Sequence, residues 1–514
     1  MCCCGGIDQA SEMKLGTVRA LVMVGSVMVG MPVGSFYSWS VFIDPLREGR
    51  PHFSPTVSVH ANSVVIAALA IACAVAGKIL DNDDKCLTLR KLSALGSLIS
   101  AIGVALCGVG VMFDQEWLLY VGGFLNGFGM GNAYVCFIKA FKTAWSHMAG
   151  FAAGWVMMVS SAGSFVFVWI CQALLDYLAT AITQDTFKNQ SPKVMAPALT
   201  FFALATILLV LQFFGSFLLV PPPKDAGASQ ELENPLLEDE EDKSDGNSNN
   251  ASDGTVAEKD SDKDKDNEGV MTTLAVFASF RFWLVMFVFF ANLFPVLGIL
   301  SILASYLQNR FPGTSAIEAA NILALVNVVG TVMRLAVGFA AEPMGSFLLF
   351  GLALLIQTGL FVLLFFIMDA PLLTLWEFAA ICITAKICYG SGFTVVNLLV
   401  DQVFGKQNGT QVYGLIIFAL MAAALASPNT ISIWYHGCSD LHPCNATMDT
   451  EFGNSTTVDD ITDYFAVSFG VTAATFVLTL FLWQQWSVAS PEEGGIVLNV
   501  KMNWIPSWNI YYRL

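Results

Sequence analysis

Charge is scarce in this sequence. Asp, Glu, Lys and Arg make up only 12% of its 514 residues, where an average soluble domain has about 25%. With 55% hydrophobic residues and a mean hydropathy of +0.64, that shortage points to a membrane protein. Basic residues are the scarcer sign: 24 Lys and Arg face 40 Asp and Glu. A nucleic-acid binder needs a basic face, and nothing here suggests one. Zinc-type ligand spacing is also missing. The twelve cysteines form no disulfide framework. Cys73, Cys136, Cys171, Cys382 and Cys388 lie in apolar runs, where cysteine behaves as a small hydrophobe. The opening "MCCCGGIDQASEMKLGTVRA" has no signal-peptide core before the first long span. Position 2 is Cys and not Gly, which excludes myristoylation and leaves Cys2, Cys3 and Cys4 as candidates for palmitoylation.

Long apolar runs are what the sequence has in quantity. Crossing ~30 Å of hydrocarbon takes ~20 apolar residues. Twelve runs reach that length. They are 17–42, 57–80, 89–112, 116–140, 148–176 and 196–220, then 273–304, 316–340, 344–368, 371–400, 410–435 and 463–485. Residues 224–268, between the sixth and seventh, hold sixteen acids and five lysines. Such a segment is expected to be disordered. The expected organisation is an N-terminal tail (1–16), a six-helix bundle (17–220), an acidic linker (221–272), a second six-helix bundle (273–486) and a C-terminal tail (487–514). The fold class is an all-α membrane protein of twelve transmembrane helices.

Lys and Arg placement sets the expected orientation. With the N-terminus inside, Lys14, Arg19, Lys78, Lys85, Arg90, Lys91, Lys139 and Lys142 of the first half lie inside. Arg47, Arg50, Lys188 and Lys193 lie outside. The loop before the last span then faces outward. It carries two glycosylation sequons, at Asn445 and Asn454, and the cysteines Cys438 and Cys444. An oxidising compartment would let those two close a short disulfide. Both termini and the linker are expected in the cytoplasm. The plasma membrane is the expected location, with endosomal or lysosomal membranes kept open by "ENPLLEDE" and the final Tyr511-Tyr-Arg-Leu514.

Two short patterns recur at equivalent places in the halves. Gly77 precedes Asp81 by four residues after span 2, and Gly338 precedes Glu342 by four after span 8, with Gly345 following. Glycine lets two helices approach, and the acid can cap a neighbouring helix or pair with a base. This resembles the loop signature of the major facilitator superfamily. The likeness of topology and repeat covers nearly the whole chain. A narrower resemblance joins "GSFYSWSVFIDPL", "FKTAWSHMAGFAAGW" and "VFGKQNGTQVYG" to the oxalate:formate antiporter and monocarboxylate porter branch. That branch shows the pattern Arg334, Gly338, Glu342, Gly345 in span 8, and the resemblance implies that Arg334 grips a substrate carboxylate.

Read from the residues alone, Arg334 has two uses. It stands about six residues, or ~9 Å, before the expected end of span 8, so its stem could snorkel to water. The other use is an anion contact. Lys386 lies at mid-depth of span 10, where it could reach a central cavity or bond carbonyls between helices. The resemblance places spans 1, 4, 7 and 10 around that cavity. Tyr37, Tyr134 and Tyr389 are the aromatic candidates for its wall, with Asn126, Asn292 and Asn397 as further polar ones that could equally bridge helices. No acid lies deep in any span. Where proton-coupled porters of the branch show an Asp one turn before the arginine, this chain has Gly330. Exchange, facilitated flux and proton coupling through Lys386 stay open.

These features suggest a secondary or facilitative transporter of a small organic anion, a monocarboxylate first. The alternatives are a transporter of amino acids or other small solutes, and a non-transporting membrane sensor. An enzyme is not expected, because paired acids and a nucleophile–base set are both missing. No cofactor or metal is expected. The expected partners are the anion and the bilayer, with protons or a counter-anion left open, and the chain is expected to be a monomer.

Overall fold

The computed structural model describes residues 15–42, 45–46, 55–81, 88–183, 192–220, 271–311, 313–367, 373–405, 408–436 and 459–488. Cys2, Cys3, Cys4, Cys438, Cys444, Asn445, Asn454 and the linker over 221–270 lie outside them. Tyr37 lies on a described backbone, but its side chain is outside the described set.

Fourteen α-helices account for nearly all of the described residues. The first half holds α1 (Leu15–Val33), α2 (Pro55–Asp81), α3 (Leu89–Phe113), α4 (Glu116–Ala144), α5 (Ala149–Thr183) and α6 (Pro192–Leu218). A 3-10 turn over Gly34–Phe42 extends α1. The second half holds α7 (Thr273–Ala278), α8 (Phe280–Arg310), α9 (Ala316–Met344), α10 (Ser346–Ile367), α11 (Leu375–Phe404), α12 (Gly409–Ile416), α13 (Phe418–His436) and α14 (Asp459–Val488). Ten stretches among the described residues are long and apolar enough to cross a membrane. α4, whose asparagines and lysines lower its hydropathy, and α14 complete twelve spans.

Two spans differ from the runs read in sequence. The seventh is broken at Ser279 into the short α7 and the long α8, and the eleventh is broken at Ile417 into α12 and α13. Each half forms one six-helix bundle. In the first, α4 packs on α2 and α3, and α3 also packs on α6. In the second, α8 packs on α13, α9 on α11, and α10 on α14. The bundles meet along two seams, α5 against α9 and α2 against α12. The start of α1, the end of α6 and the start of α8 share one end of the molecule, called here the linker side. Arg19 there donates to the Ala144 carbonyl (3.1 Å), and Arg90 donates to the Leu219 carbonyl (3.3 Å).

Candidate functional site

Arg334 stands on α9, ten residues before the helix ends at Met344. That is ~15 Å of helix, deeper than the sequence suggested, because α9 runs on past position 340. Its side chain does not snorkel. It is 5% exposed and points across the seam into the other bundle. Its Nη1 donates to the Met157 carbonyl of α5 at 3.1 Å, and its Nε has no hydrogen-bond partner among the described residues. The guanidinium also faces the Phe393 and Tyr389 rings, at 5.1 and 5.7 Å from their centroids. A small cavity of about 30 Å³ lies beside it between the bundles. Val33, Phe36 and Leu69 line it from one bundle, and Phe393, Ile417 and Leu420 from the other. The polar wall is Arg334, Tyr134, Ser160 and Ser161. Among the described residues no carboxylate lines it.

Lys386 and Tyr389 stand one layer behind that wall, on α11. Lys386 is 5% exposed, and its Nζ lies 4.6 Å from the Tyr389 ring centroid. Fully buried Tyr389 thus has two cations near its ring, Arg334 and Lys386. Each such contact is worth roughly 0.5–2 kcal/mol. Gly330 explains how the lysine stem fits. A Cβ at position 330 would stand 2.6 Å from Lys386 Cγ. Adding one should force the stem off Tyr389. Gly330→Ala is expected to cost about 1–3 kcal/mol of stability through overpacking. A thermal melt of the purified protein checks this. Gly351→Ala, at a position with open space around it, should melt like the wild type.

A ladder of contacts closes the α5–α9 seam from the cavity to the linker side. Ser161 and Thr331 share a hydrogen bond of 2.9 Å, and Met157 and Arg334 follow. Gly154 and Gly338 then cross backbone to backbone: a Cβ at 338 would stand 2.7 Å from Gly154 Cα. Last, Glu342 Oε1 accepts the Gly150 N–H at 3.0 Å, at the start of α5. The Gly345 that follows has φ +82°, a conformation glycine takes at little cost, and it turns the chain into α10.

The α2–α12 seam is built alike. Asp81 Oδ2 accepts the Gln411 N–H at 2.7 Å, in the first turn of α12. A Cβ at Gly77 would stand 2.7 Å from the Thr410 carbonyl oxygen. Both acids therefore cap a helix start in the opposite bundle, where the helix dipole favours negative charge. Asp81 does more than Glu342, since its Oδ1 also pairs with Lys139 at 3.0 Å.

Other side chains at these seams were not singled out in sequence. Lys142 of α4 pairs with Asp401 of α11 at 2.6 Å, and Tyr413 of α12 lies 3.1 Å from Tyr134, oxygen to oxygen. Lys142 had registered only as part of the inside charge bias, and Tyr413 sits in an otherwise apolar run. Asn126 and Asn292 bridge helices within their bundles, to Ser100 (2.8 Å) and Gln357 (2.8 Å). Asn397 is buried on α11, away from the cavity wall.

The sequence profile of the Major Facilitator Superfamily matches residues 51–428. The chain belongs to that superfamily. As a member it is a multi-pass membrane protein that carries small solutes, and members of this superfamily are generally not enzymes. No curated protein matches it in sequence. Solved structures agree on the fold. The transporter FucP, in an outward conformation, superposes with a TM-score of 0.57 at 14% identity, over 92% of this chain and 99% of its own. The proton:xylose symporter XylE gives 0.54 at 12%, over 91% and 95%. A bacterial homologue of the iron transporter ferroportin, outward-facing, gives 0.57 at 12%, over 90% and 98%. At such identities the superfamily likeness is one of architecture, and the cavity chemistry has to be read from this chain's own residues.

Proposed function

We propose that this transporter carries a small organic anion, a monocarboxylate, by alternating access of its two bundles. One observation carries the reading. The Arg334 guanidinium is buried in the wall of the inter-bundle cavity, and among the described residues no carboxylate lines that wall and none partners its Nε. A buried guanidinium is costly until an anion meets it, and a carboxylate meets it by paired N–H···O bonds. The cavity wall holds one cation and is otherwise mostly apolar, which suits one carboxylate with a short apolar body. An amino acid would bring an ammonium group that no lining acid receives.

Arg334 and Tyr134 contact the anion in this reading, and Tyr37 joins them by its place on the 3-10 turn. Lys386 and Tyr389 hold positive charge and ring density behind the guanidinium. Gly77, Asp81, Gly338, Glu342 and Gly345 form the gate of the linker side. The linker side is cytoplasmic, as supported by Arg19, Lys78, Arg90, Lys139 and Lys142 all lying there. Asn445, Asn454 and a Cys438–Cys444 disulfide belong to the outer face, and acylation of Cys2, Cys3 and Cys4 to the inner one. The plasma membrane is the proposed site, with endosomal or lysosomal membranes as the alternative.

The test is uptake of labelled pyruvate, lactate, formate and oxalate into proteoliposomes, with and without a pH gradient. The three monocarboxylates are expected to enter and to compete with one another. Oxalate should compete weakly. Fucose, xylose and neutral amino acids should not compete. Competition by the sugars with none by the carboxylates would sink the reading.

A further inference from the structure

We propose that Tyr413 is a positioning residue of the anion site, which aims the Tyr134 hydroxyl at the second carboxylate oxygen only while the bundles are closed on the linker side. The inference rests on the Arg334 reading above.

The geometry centres on Met157, which is fully buried on α5. Its carbonyl accepts from Arg334 Nη1. Its sulfur lies 3.4 Å from Tyr134 Oη and 4.0 Å from Tyr413 Oη. One residue thus stands against both the guanidinium and the phenol pair. The two phenols have two protons between them. Tyr134 Oη lies between Tyr413 Oη at 3.1 Å and the Met157 sulfur, a weak acceptor, so one of its described partners is easily replaced by a stronger acceptor. A carboxylate entering between Arg334 and Tyr134 offers strong acceptors to both sides. One oxygen takes the guanidinium from the Met157 carbonyl, and the other takes the Tyr134 hydroxyl from the sulfur.

Tyr134 lines the cavity and Tyr413 does not. Tyr413, 2% exposed, acts through Tyr134: its hydroxyl fixes which way the Tyr134 hydroxyl turns. The two residues sit in opposite bundles, Tyr134 on α4 and Tyr413 on α12. Parting the bundles on the linker side separates them. The donor is then no longer aimed, and affinity drops on the side where the anion has to leave. The tyrosine pair therefore makes the site tight when loaded from the far side and loose when open to the linker side.

Tyr413→Phe keeps the ring and removes only the hydroxyl. In cells, KM is measured for influx and, after loading, for efflux, using whichever of pyruvate, lactate, formate and oxalate the wild type transports. Loss of one aimed hydrogen bond to a charged group is worth on the order of tenfold. Influx KM should rise about tenfold with influx Vmax within about twofold, while efflux keeps its KM and its Vmax falls about tenfold, because a substitution cannot shift the overall equilibrium of transport. Tyr134→Phe should show the same rise, and the double variant should add little to either, because the two act as one unit. A melting temperature equal to wild type shows that the variant is folded. A purely structural tie between bundles would change influx Vmax at an unchanged influx KM, or raise both KM values alike, and either result overturns the proposal. Wild-type transport with an unchanged influx KM in Tyr413→Phe removes this inference and leaves the Arg334 reading standing. Failure of the wild type to move any of the four removes both.

Discussion

Arg334→Ala is expected to lower Vmax/KM for the transported carboxylate by about 100-fold or more. The estimate follows from what the side chain offers. A hydrogen bond to a charged group is worth about 1.5–3 kcal/mol, and a carboxylate on a guanidinium makes two. Losing about 3 kcal/mol corresponds to about 100-fold. Arg334→Lys keeps the charge but not the planar fork, so it should recover only part of the loss. A second readout separates binding from folding. The buried guanidinium has an Nε without a partner among the described residues, which costs free energy. Arg334→Ala removes that cost, so the variant should melt at or above the wild-type temperature. A saturating carboxylate should raise the wild-type melting temperature, since about 100 Kd of ligand stabilises by about 2.7 kcal/mol. The variant should show no such rise. Wild-type uptake by Arg334→Ala would sink the binding role.

That arginine was visible in the sequence because a charge inside an apolar run has no cheap explanation. The twelve spans were visible for the converse reason, since length and hydropathy need no partner to be recognised. The spacing of glycine and acid was legible too, as Gly77 with Asp81 and Gly338 with Glu342. What these acids hold was not. Their partners are backbone N–H groups of Gln411 and Gly150, and every residue but proline carries one. Met157 is hidden for the same reason, because it serves Arg334 through its carbonyl. Lys142 and Asp401 lie in different bundles, and only the packed fold shows that they meet. Lys386 shows another limit. Its depth followed from counting along span 10. Its layer follows from the groove at Gly330 and the face of Tyr389, neither of which counting can place. The break at Ile417 leaves no mark in hydropathy, which runs on through it.

Gly338→Leu is expected to hold the bundles apart on the linker side. A Cβ at 338 would stand 2.7 Å from Gly154 Cα and 3.0 Å from Gly154 N, and closer still to the Gly150 carbonyl oxygen. All three are backbone atoms of α5, so no side-chain rotation makes room. The helices have to separate. Separation breaks three neighbouring ties together: Glu342 to Gly150, Arg334 to Met157 and Ser161 to Thr331. Each bundle keeps its own packing, α4 on α2 and α3, α8 on α13, so the protein should still fold. Overpacking of this kind costs about 1–3 kcal/mol, and the upper figure moves a two-state equilibrium about 100-fold. Uptake from the far side should fall by that order. A cysteine placed at Ser161 should become reactive to an impermeant maleimide added from the linker side, and stay protected when Gly338 is intact. Gly359→Leu, where open space surrounds the glycine, should leave both readouts at the wild-type level. Normal uptake and a protected cysteine in Gly338→Leu would show that the α5–α9 crossing does not close the transporter. Because Arg334 sits on the same helix, one turn beyond Gly338, the wedge also tests whether anion binding and seam closure are parts of one event. If they are, carboxylate affinity from the far side falls with uptake. If they are separate, affinity survives while transport stops.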